Sequence, residues 1–327
     1  MRGSKTGGAI ALFGAALVWG VAFAAQTSAS EHVGSFSFIA GKSSVACLFL
    51  ALLIAGRYVI GRVRGTVVAP APSSRGAGEP PQTRLRSFLA SHSSVILGGI
   101  ACGVVLFAAD NCQQFGITVY PPEAAASGRA GFLTATYVVI VALSSRFSGK
   151  RLHPAVIVAV VVCLAGMYLL CVPGDFSGIY LGDAVMLAGA LFYAAHIVVV
   201  GKCSAQDALW LSCVQFATSA LISAVCAVVI EHATLADLLP AIVPILYVGI
   251  FSTGLGYTLQ TIGQKSVDAA PAAIIMSLES VFAALSGWVL LGEQMGQTEV
   301  LGCALVFAAV ILAQLPEFLV RSPSKGR

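Results

Sequence analysis

A glutamate stands in the middle of a long apolar run: Glu279, within residues 269–291 of the 327-residue sequence. Ionisable side chains at membrane depth cost at least about 2.5–3.5 kcal/mol on insertion scales, so each one requires a reason. In a helix rising about 1.5 Å per residue, Glu279 lies about 15 Å from the start of its run, near a bilayer centre. Ala283, Ser286 and Gly287 continue its helical face as a stripe of small residues, where a neighbouring helix or a water-filled path can approach. A carboxyl group so placed can bind and release a proton. The competing reading is a carboxyl hydrogen-bonded between helices and serving packing alone.

Two polar faces recur at helical spacing. Asp110, Gln113 and Gln114 stand at i, i+3 and i+4, and Tyr257, Gln260, Thr261 and Gln264 form a similar face further on. Such groups would be unsatisfied against lipid, so they point inward, either to line a polar cavity that orients a solute or to zip helices together. Lys42 and Arg129 each fall five or six residues inside an apolar run. A long stem can carry either charge out to the interface. Arg129 can instead pair with Asp110, in the same layer, and either cation can receive an anionic group of a solute. His196 follows Tyr193 by three residues on one face, as a satisfied core imidazole or a proton carrier. Trp19, at the place matching Tyr193 in the first half, shares a face with Gln26, and these aromatics shape a cavity wall or simply pack.

Signatures of bond-making chemistry are missing. The sequence has no Walker A motif, no H-E-x-x-H, no paired catalytic aspartates and no serine-nucleophile motif. The nine cysteines lie mostly inside apolar runs, without C-x-x-C pairs or zinc-like spacing, and read as small buried hydrophobes. The expectation is therefore binding without catalysis, cofactor or metal.

The elements that hold these residues follow from composition. The chain is 58% hydrophobic and 10% charged, with a mean hydropathy of +0.91, where soluble domains carry about 25% charged residues. Lipid offers the backbone no hydrogen-bond partners, and the apolar runs are continuous rather than alternating, so the spans must be helices. Ten are expected, near 8–28, 36–60, 95–115, 124–147, 154–172, 181–200, 208–230, 239–262, 269–291 and 297–315. With the N-terminus in the cytoplasm, sixteen of the eighteen Lys and Arg fall in inside loops and termini or at the cytoplasmic ends of spans, and none in an outside loop. The outside loops carry Glu31, Glu123, Asp175, Glu231, Asp237 and Glu293 instead. The pattern predicts an all-α, multi-pass protein of the bacterial inner membrane with both termini cytoplasmic. Residues 61–94, rich in Pro, Gly and Arg, read as a flexible cytosolic tether near anionic headgroups, and 316–327 as a cytosolic tail.

The chain also repeats. Gln113-Gln114-Phe115-Gly116 near the end of the third span has its counterpart in Gln260-Thr261-Ile262-Gly263 near the end of the eighth. Five spans separate them, so the halves enter the membrane in opposite senses. The joint Gly149-Lys150-Arg151-Leu152 is basic, whereas the matching Gly292-Glu293-Gln294-Met295 is acidic. Inverted repeats of this kind are common in secondary transporters, whose solute sites lie near the midplane between halves.

Several segments resemble the drug/metabolite transporter superfamily, specifically the tandem EamA-type domain. They are Gly14-Ala15-Ala16-Leu17-Val18-Trp19-Gly20, Gly182-Asp183-Ala184-Val185-Met186, Ser277 to Leu285 running on to Leu290-Leu291-Gly292-Glu293, and Gly302-Cys303-Ala304-Leu305. Ser280 stands where the family often has proline after the glutamate, and Tyr137 occupies the place of Glu279 in the first repeat. The resemblance implies two five-helix repeats, 8–172 and 181–315. It also implies export of a small metabolite or drug-like solute by alternating access, with proton coupling through Glu279 as the coupling expected. A passive channel or facilitator is the alternative.

Overall fold

The computed structural model describes residues 5–30, 32–63, 81–120, 132–147, 153–171, 180–291 and 296–320, which form helices and short turns. We number the helices α1 (Lys5–Ser30), α2 (Ser35–Val63), α3 (Pro81–Thr118), α4 (Tyr137–Phe147, preceded by a helical turn from Phe132), α5 (Pro154–Cys171), α6 (Leu181–Cys203) and α7 (Ala208–Ile230). The next is composite. In α8 a 3-10 turn (Leu235–Ala241) leads through Ile242–Tyr247 into a π-helical stretch (Val248–Gly256) and ends in Tyr257–Gly263. α9 is broken at Ser277 into Ala269–Met276 and Leu278–Leu291, and α10 spans Gln297–Val320. Six of these are long and apolar enough to cross a membrane, and four shorter apolar helices stand at the remaining expected positions. The protein is an all-helical, multi-pass membrane protein.

The expected tether is shorter than 61–94. α2 continues to Val63 and α3 begins at Pro81. Proline fits the first turn of a helix, where its missing N–H would have no partner anyway. Residues 64–80 lie outside the described residues, as do the joints 149–152 and 292–295 and the tail from 321.

Helix packing follows a matched pattern. α1 packs on α9 as α6 packs on α4; α1 on α8 as α6 on α3; and α2 on α8 as α7 on α3. Three further pairs, α2 with α7, α5 with α10 and α4 with α9, also pack together. Buried apolar side chains fill the seams, the largest cluster running from Leu12 on α1 through Met167 on α5 to Ile274 and Val306 on α9 and α10.

Polar clasps hold α2 to α7 at both ends. At the end where α1 begins, here the proximal end, Arg57 Nη1 donates to Asp207 Oδ2 at 2.9 Å. Asp207 is also the N-cap of α7, accepting from the N–H groups of Leu209 and Trp210. Burial pushes its carboxyl up, but the Arg57 hydrogen bond, the Trp210 N–H, the Arg57 charge and the Leu209 N–H together hold it below the usual range. The pair is half exposed, at 52% and 40%, so the cap outweighs the ion pair. Asp207→Ala is expected to cost about 1 kcal/mol, and Arg57→Ala less than that. A carboxyl with a lowered folded value stabilises above the unfolded value of about 3.9 and loses that contribution as the pH falls through the folded value. Unfolding in detergent at pH 7 and pH 3 checks both statements; equal losses for the two variants would contradict the first.

At the distal end, the Glu231 carboxylate accepts from Phe36 N and Ser37 N, each at 2.9 Å, and from the Ser37 hydroxyl. It serves as a cap donated by α7 to the N-terminus of α2, where a negative charge also opposes the helix dipole favourably. Glu231→Ala is expected to cost about 1–2 kcal/mol, measured by the same unfolding assay. Asp183 plays a related part on α6: it accepts from Tyr180 N at 2.9 Å and from the Tyr120 hydroxyl at 2.7 Å, pinning the end of α3 to the start of α6.

Candidate functional site

Three local departures from regular helix shape the centre of the bundle. In the π-helical stretch of α8 the backbone bonds shift from i+4 towards i+5. There the Ser252 carbonyl accepts the Trp19 indole N–H at 2.9 Å. Gly256 makes that approach possible, since a Cβ there would collide with the Trp19 indole nitrogen. The second departure is the break in α9, where Ser277 Oγ donates back to Ile274 O at 2.7 Å. The third is its counterpart in α4, where Thr136 Oγ1 donates back to Leu133 O at 2.6 Å. Hydroxyls that bond back in this way bend helices. Glu279 and Tyr137 follow these two breaks directly.

Between these elements lies a cavity of about 60 Å³, room for a few water molecules. Its wall includes Trp19, Gln26, Lys42, Asp110, Gln113, Tyr193, His196, Tyr257, Gln260 and Glu279. Tyr137, Thr134, Ile197, Ser252 and Met276 complete it. α1, α2, α3, α4, α6, α8 and α9 therefore all contribute, from both halves of the chain.

An ion pair dominates one side. Lys42 Nζ lies 2.8 Å from Asp110 Oδ2, with side chains only 5% and 2% exposed. Asp110 Oδ1 accepts from the Tyr193 hydroxyl at 2.8 Å and from Tyr257 at 3.4 Å. Tyr193 also reaches Gln113 Oε1 at 3.1 Å. Buried charge pairs persist only when the remaining polar atoms are also met, and the two phenols do that for Asp110. Lys42 stays in the interior on this partner rather than running out to an interface. Asp110 thus has a partner other than Arg129, which lies outside the described residues.

The rest of the wall is aromatic and acidic. Trp19 and Tyr257 rings stack at a tilt with centroids 4.8 Å apart, and His196 meets Tyr257 edge-on at 5.6 Å. His196 Nε2 is 3.2 Å from Gln215 Oε1 on α7, so this imidazole is tied into the packing while presenting a face to the cavity. Glu279 lines the same cavity as Tyr137, Tyr193 and Tyr257. Among the described residues no group donates a hydrogen bond to its carboxylate and no cation pairs with it. Gly20 of α1 packs directly on its backbone: a Cβ there would stand 2.6 Å from Glu279 O and 2.8 Å from Ala283 N. Gly20 and Ala283 thus form a close α1–α9 contact, while the side chains of Ser286 and Gly287 lie outside the described residues.

The two polar faces split in the same way. Asp110 and Gln113 reach the cavity but Gln114, 3% exposed, does not. Tyr257 and Gln260 reach it but Thr261 and Gln264 do not. Thr261 Oγ1 bonds back to Tyr257 O, and Gln264 Nε2 donates to Ile197 O at 2.9 Å, tying α8 to α6 at the proximal end. Residues i+3 and i+4 stand about 100° apart around a helix, so a narrow cavity admits one and not the other. Ser252 and Thr134 were not singled out from the sequence. Gly249, Gly254 and Gly256 clustered around Ser252 are the one signal that backbone approaches closely there.

The comparisons with known proteins make this multi-pass helical bundle, with a partly polar cavity at its centre, a membrane transporter. The pattern of the EamA-like transporter family matches residues 180–315. An uncharacterized transporter of Archaeoglobus fulgidus is 29% identical over 223 residues, 66% of this chain and 68% of that protein. The threonine/homoserine exporter RhtA of Salmonella typhimurium is 30% identical over 170 residues, 50% of this chain and 56% of that protein. A solved crystal structure shares the fold, with a TM-score of 0.69 at 20% identity, over 98% of this chain and 100% of that one. The chain belongs to the EamA-like transporter family, within the drug/metabolite transporter superfamily.

Proposed function

We propose that this protein is a secondary transporter of the bacterial inner membrane that exports a small solute by alternating access. Its ten helices form two inverted five-helix repeats, 8–172 and 181–315, with both termini in the cytoplasm. The matched helix pairs support that arrangement, as do the breaks in α4 and α9 and the equal split of the two polar faces. The observation that carries the transport reading is the cavity itself: polar, central, and walled by both halves. Two bodies related by such a repeat can rock about a shared site and expose it to each side in turn. Gln264 bonded to Ile197 ties α8 to α6 at the proximal end in this conformation. The name of the RhtA relative, a threonine/homoserine exporter, supports outward movement of a small metabolite.

Glu279 is the coupling group in this reading. It stands at the cavity wall without a cation among the described residues, so a proton or a positively charged solute group is the natural counter-charge. Flux assays in proteoliposomes with labelled small metabolites, threonine and homoserine among them, test the reading. A carrier gives flux that saturates and is accelerated by unlabelled solute on the other side. Flux linear in concentration with no such exchange would establish a channel or facilitator instead.

A further inference from the structure

Two thiols meet across the seam between α2 and α7. Cys47 Sγ and Cys213 Sγ are 3.9 Å apart, an ordinary contact distance for two sulfurs. Cys213 Sγ also lies 3.7 Å from the Cys47 carbonyl oxygen, so its side chain rests on the backbone of α2 and the helices are close at this level. The pair sits between two other α2–α7 contacts, which fix the helices around it. On the proximal side is the Arg57–Asp207 clasp, and on the other are the Ser43 and Ser219 hydroxyls, 3.5 Å apart. Neither cysteine is fully buried. Both pack against the cluster of Leu50, Leu106, Phe216 and Tyr257, of which Tyr257 lines the cavity. Small polarizable side chains suit any tight seam, but these two can also bond to each other. A disulfide holds its sulfurs at about 2.05 Å, so the pair must close by about 1.9 Å. Rotation of the two side chains about χ1 can supply that approach.

We propose that Cys47 and Cys213 are a modification site, a dithiol that a small uncharged peroxide closes into a disulfide between α2 and α7. With hydrogen peroxide, one sulfur attacks a peroxide oxygen as its thiolate and becomes a sulfenic acid. The O–O bond breaks, and the released hydroxide leaves as water with the proton of that thiol. The second sulfur then attacks the sulfenic sulfur, and its proton leaves with the displaced hydroxyl as a second water. Two thiols and one peroxide thus become one disulfide and two waters, the two electrons passing to the peroxide oxygens. Apolar surroundings disfavour the thiolate, so the first step is slow. The second is fast, because sulfurs already in contact react intramolecularly. A consequence rests on the transport reading above, in which α2 falls in one repeat and α7 in the other. A covalent bond between them stops one repeat from rocking against the other. Oxidation then switches transport off. A dithiol reductant restores it by exchange, returning two electrons and two protons.

The test treats the full-length protein in proteoliposomes with hydrogen peroxide. Free thiols are then blocked and the protein is digested without reductant. Mass spectrometry is expected to find the Cys47 and Cys213 peptides joined in wild type, and separate after dithiothreitol. Flux of labelled metabolites, threonine and homoserine among them, is expected to fall in proportion to the fraction of protein joined and to recover with dithiothreitol. Cys47→Ala and Cys213→Ala, neither of which alters the cavity wall, are expected to keep their flux through the same treatment. Wild-type peptides that stay separate would overturn the proposal, a result that needs no variant to fold. Joined peptides with undiminished flux would overturn the switch, and so would equal loss of flux in wild type and both variants. The peptides are read with no solute present, so the two readings fail separately. Reduced protein that moves none of the metabolites, yet joins these peptides on oxidation, would count against the transport reading and for the dithiol.

Discussion

Replacing Lys42 with methionine is expected to destabilise the protein by about 3–5 kcal/mol, the usual cost of leaving one member of a buried ion pair without its partner. The geometry puts this pair at the severe end. Lys42 and Asp110 are 5% and 2% exposed, 2.8 Å apart, and join α2 to α3. Without the ammonium, Asp110 keeps two phenol donors on Oδ1 but loses the one partner that Oδ2 has among the described residues. The double variant Lys42→Met/Asp110→Asn removes both charges and is expected to recover most of the loss, since a neutral, packed pair of similar volume is often as stable. Unfolding in mixed micelles, arranged as a double-mutant cycle, reads the coupling directly. A single-variant loss below about 1 kcal/mol would mean that water reaches the pair and that it behaves as a surface contact.

Gly20→Ala is expected to disturb both fold and site. A methyl group at Gly20 would lie 2.5 Å from Phe282 Cβ, 2.6 Å from Glu279 O and 2.8 Å from Ala283 N. Two of these are backbone atoms, so no side-chain rotation relieves the clash and α9 must move away from α1. Overpacking of this kind costs about 1–3 kcal/mol, and here the displaced segment carries Glu279. Gly56→Ala is the control, because nothing lies within 4 Å of the new methyl. At Gly56 the higher helix propensity of alanine is expected to stabilise by up to about 1 kcal/mol. Opposite signs for one chemical change would follow from packing alone. Equal effects would show that α1 and α9 are not in close contact at this depth.

Much of the architecture was legible because lipid leaves few alternatives. Apolar runs of about 20 residues must become helices, and among the described residues six long apolar helices and four shorter ones lie within the expected runs. The depth of Glu279 in its run, and the inward face of Asp110 and Gln113, follow from the period of a helix. Other features carry no periodic signal. A π-helical stretch is a change in hydrogen-bond partner, which hydropathy does not encode, so the Ser252 carbonyl beside Trp19 was not visible in the sequence. The partner of Asp110 was also beyond reach. Arg129, the partner that charge and depth offered as one alternative, lies outside the described residues, and Lys42 meets Asp110 because tertiary packing sets α2 beside α3. Gln114 shows the same limit on a finer scale. It shares a broad face with Asp110, yet a narrow cavity selects Gln113 and turns Gln114 into the packing.

The account rests most heavily on solute passing through the cavity beside Glu279. The direct measurement is mass spectrometry of metabolites inside and outside cells that express this protein, its Glu279→Gln variant at equal membrane abundance, or neither. The account predicts at least one small metabolite that leaves wild-type cells faster than control cells, by a rate that depends on the pH gradient. In the variant that gradient dependence is lost. A metabolite exported equally fast by both proteins, with unchanged response to the gradient, would contradict the role given to Glu279 and to the cavity around it.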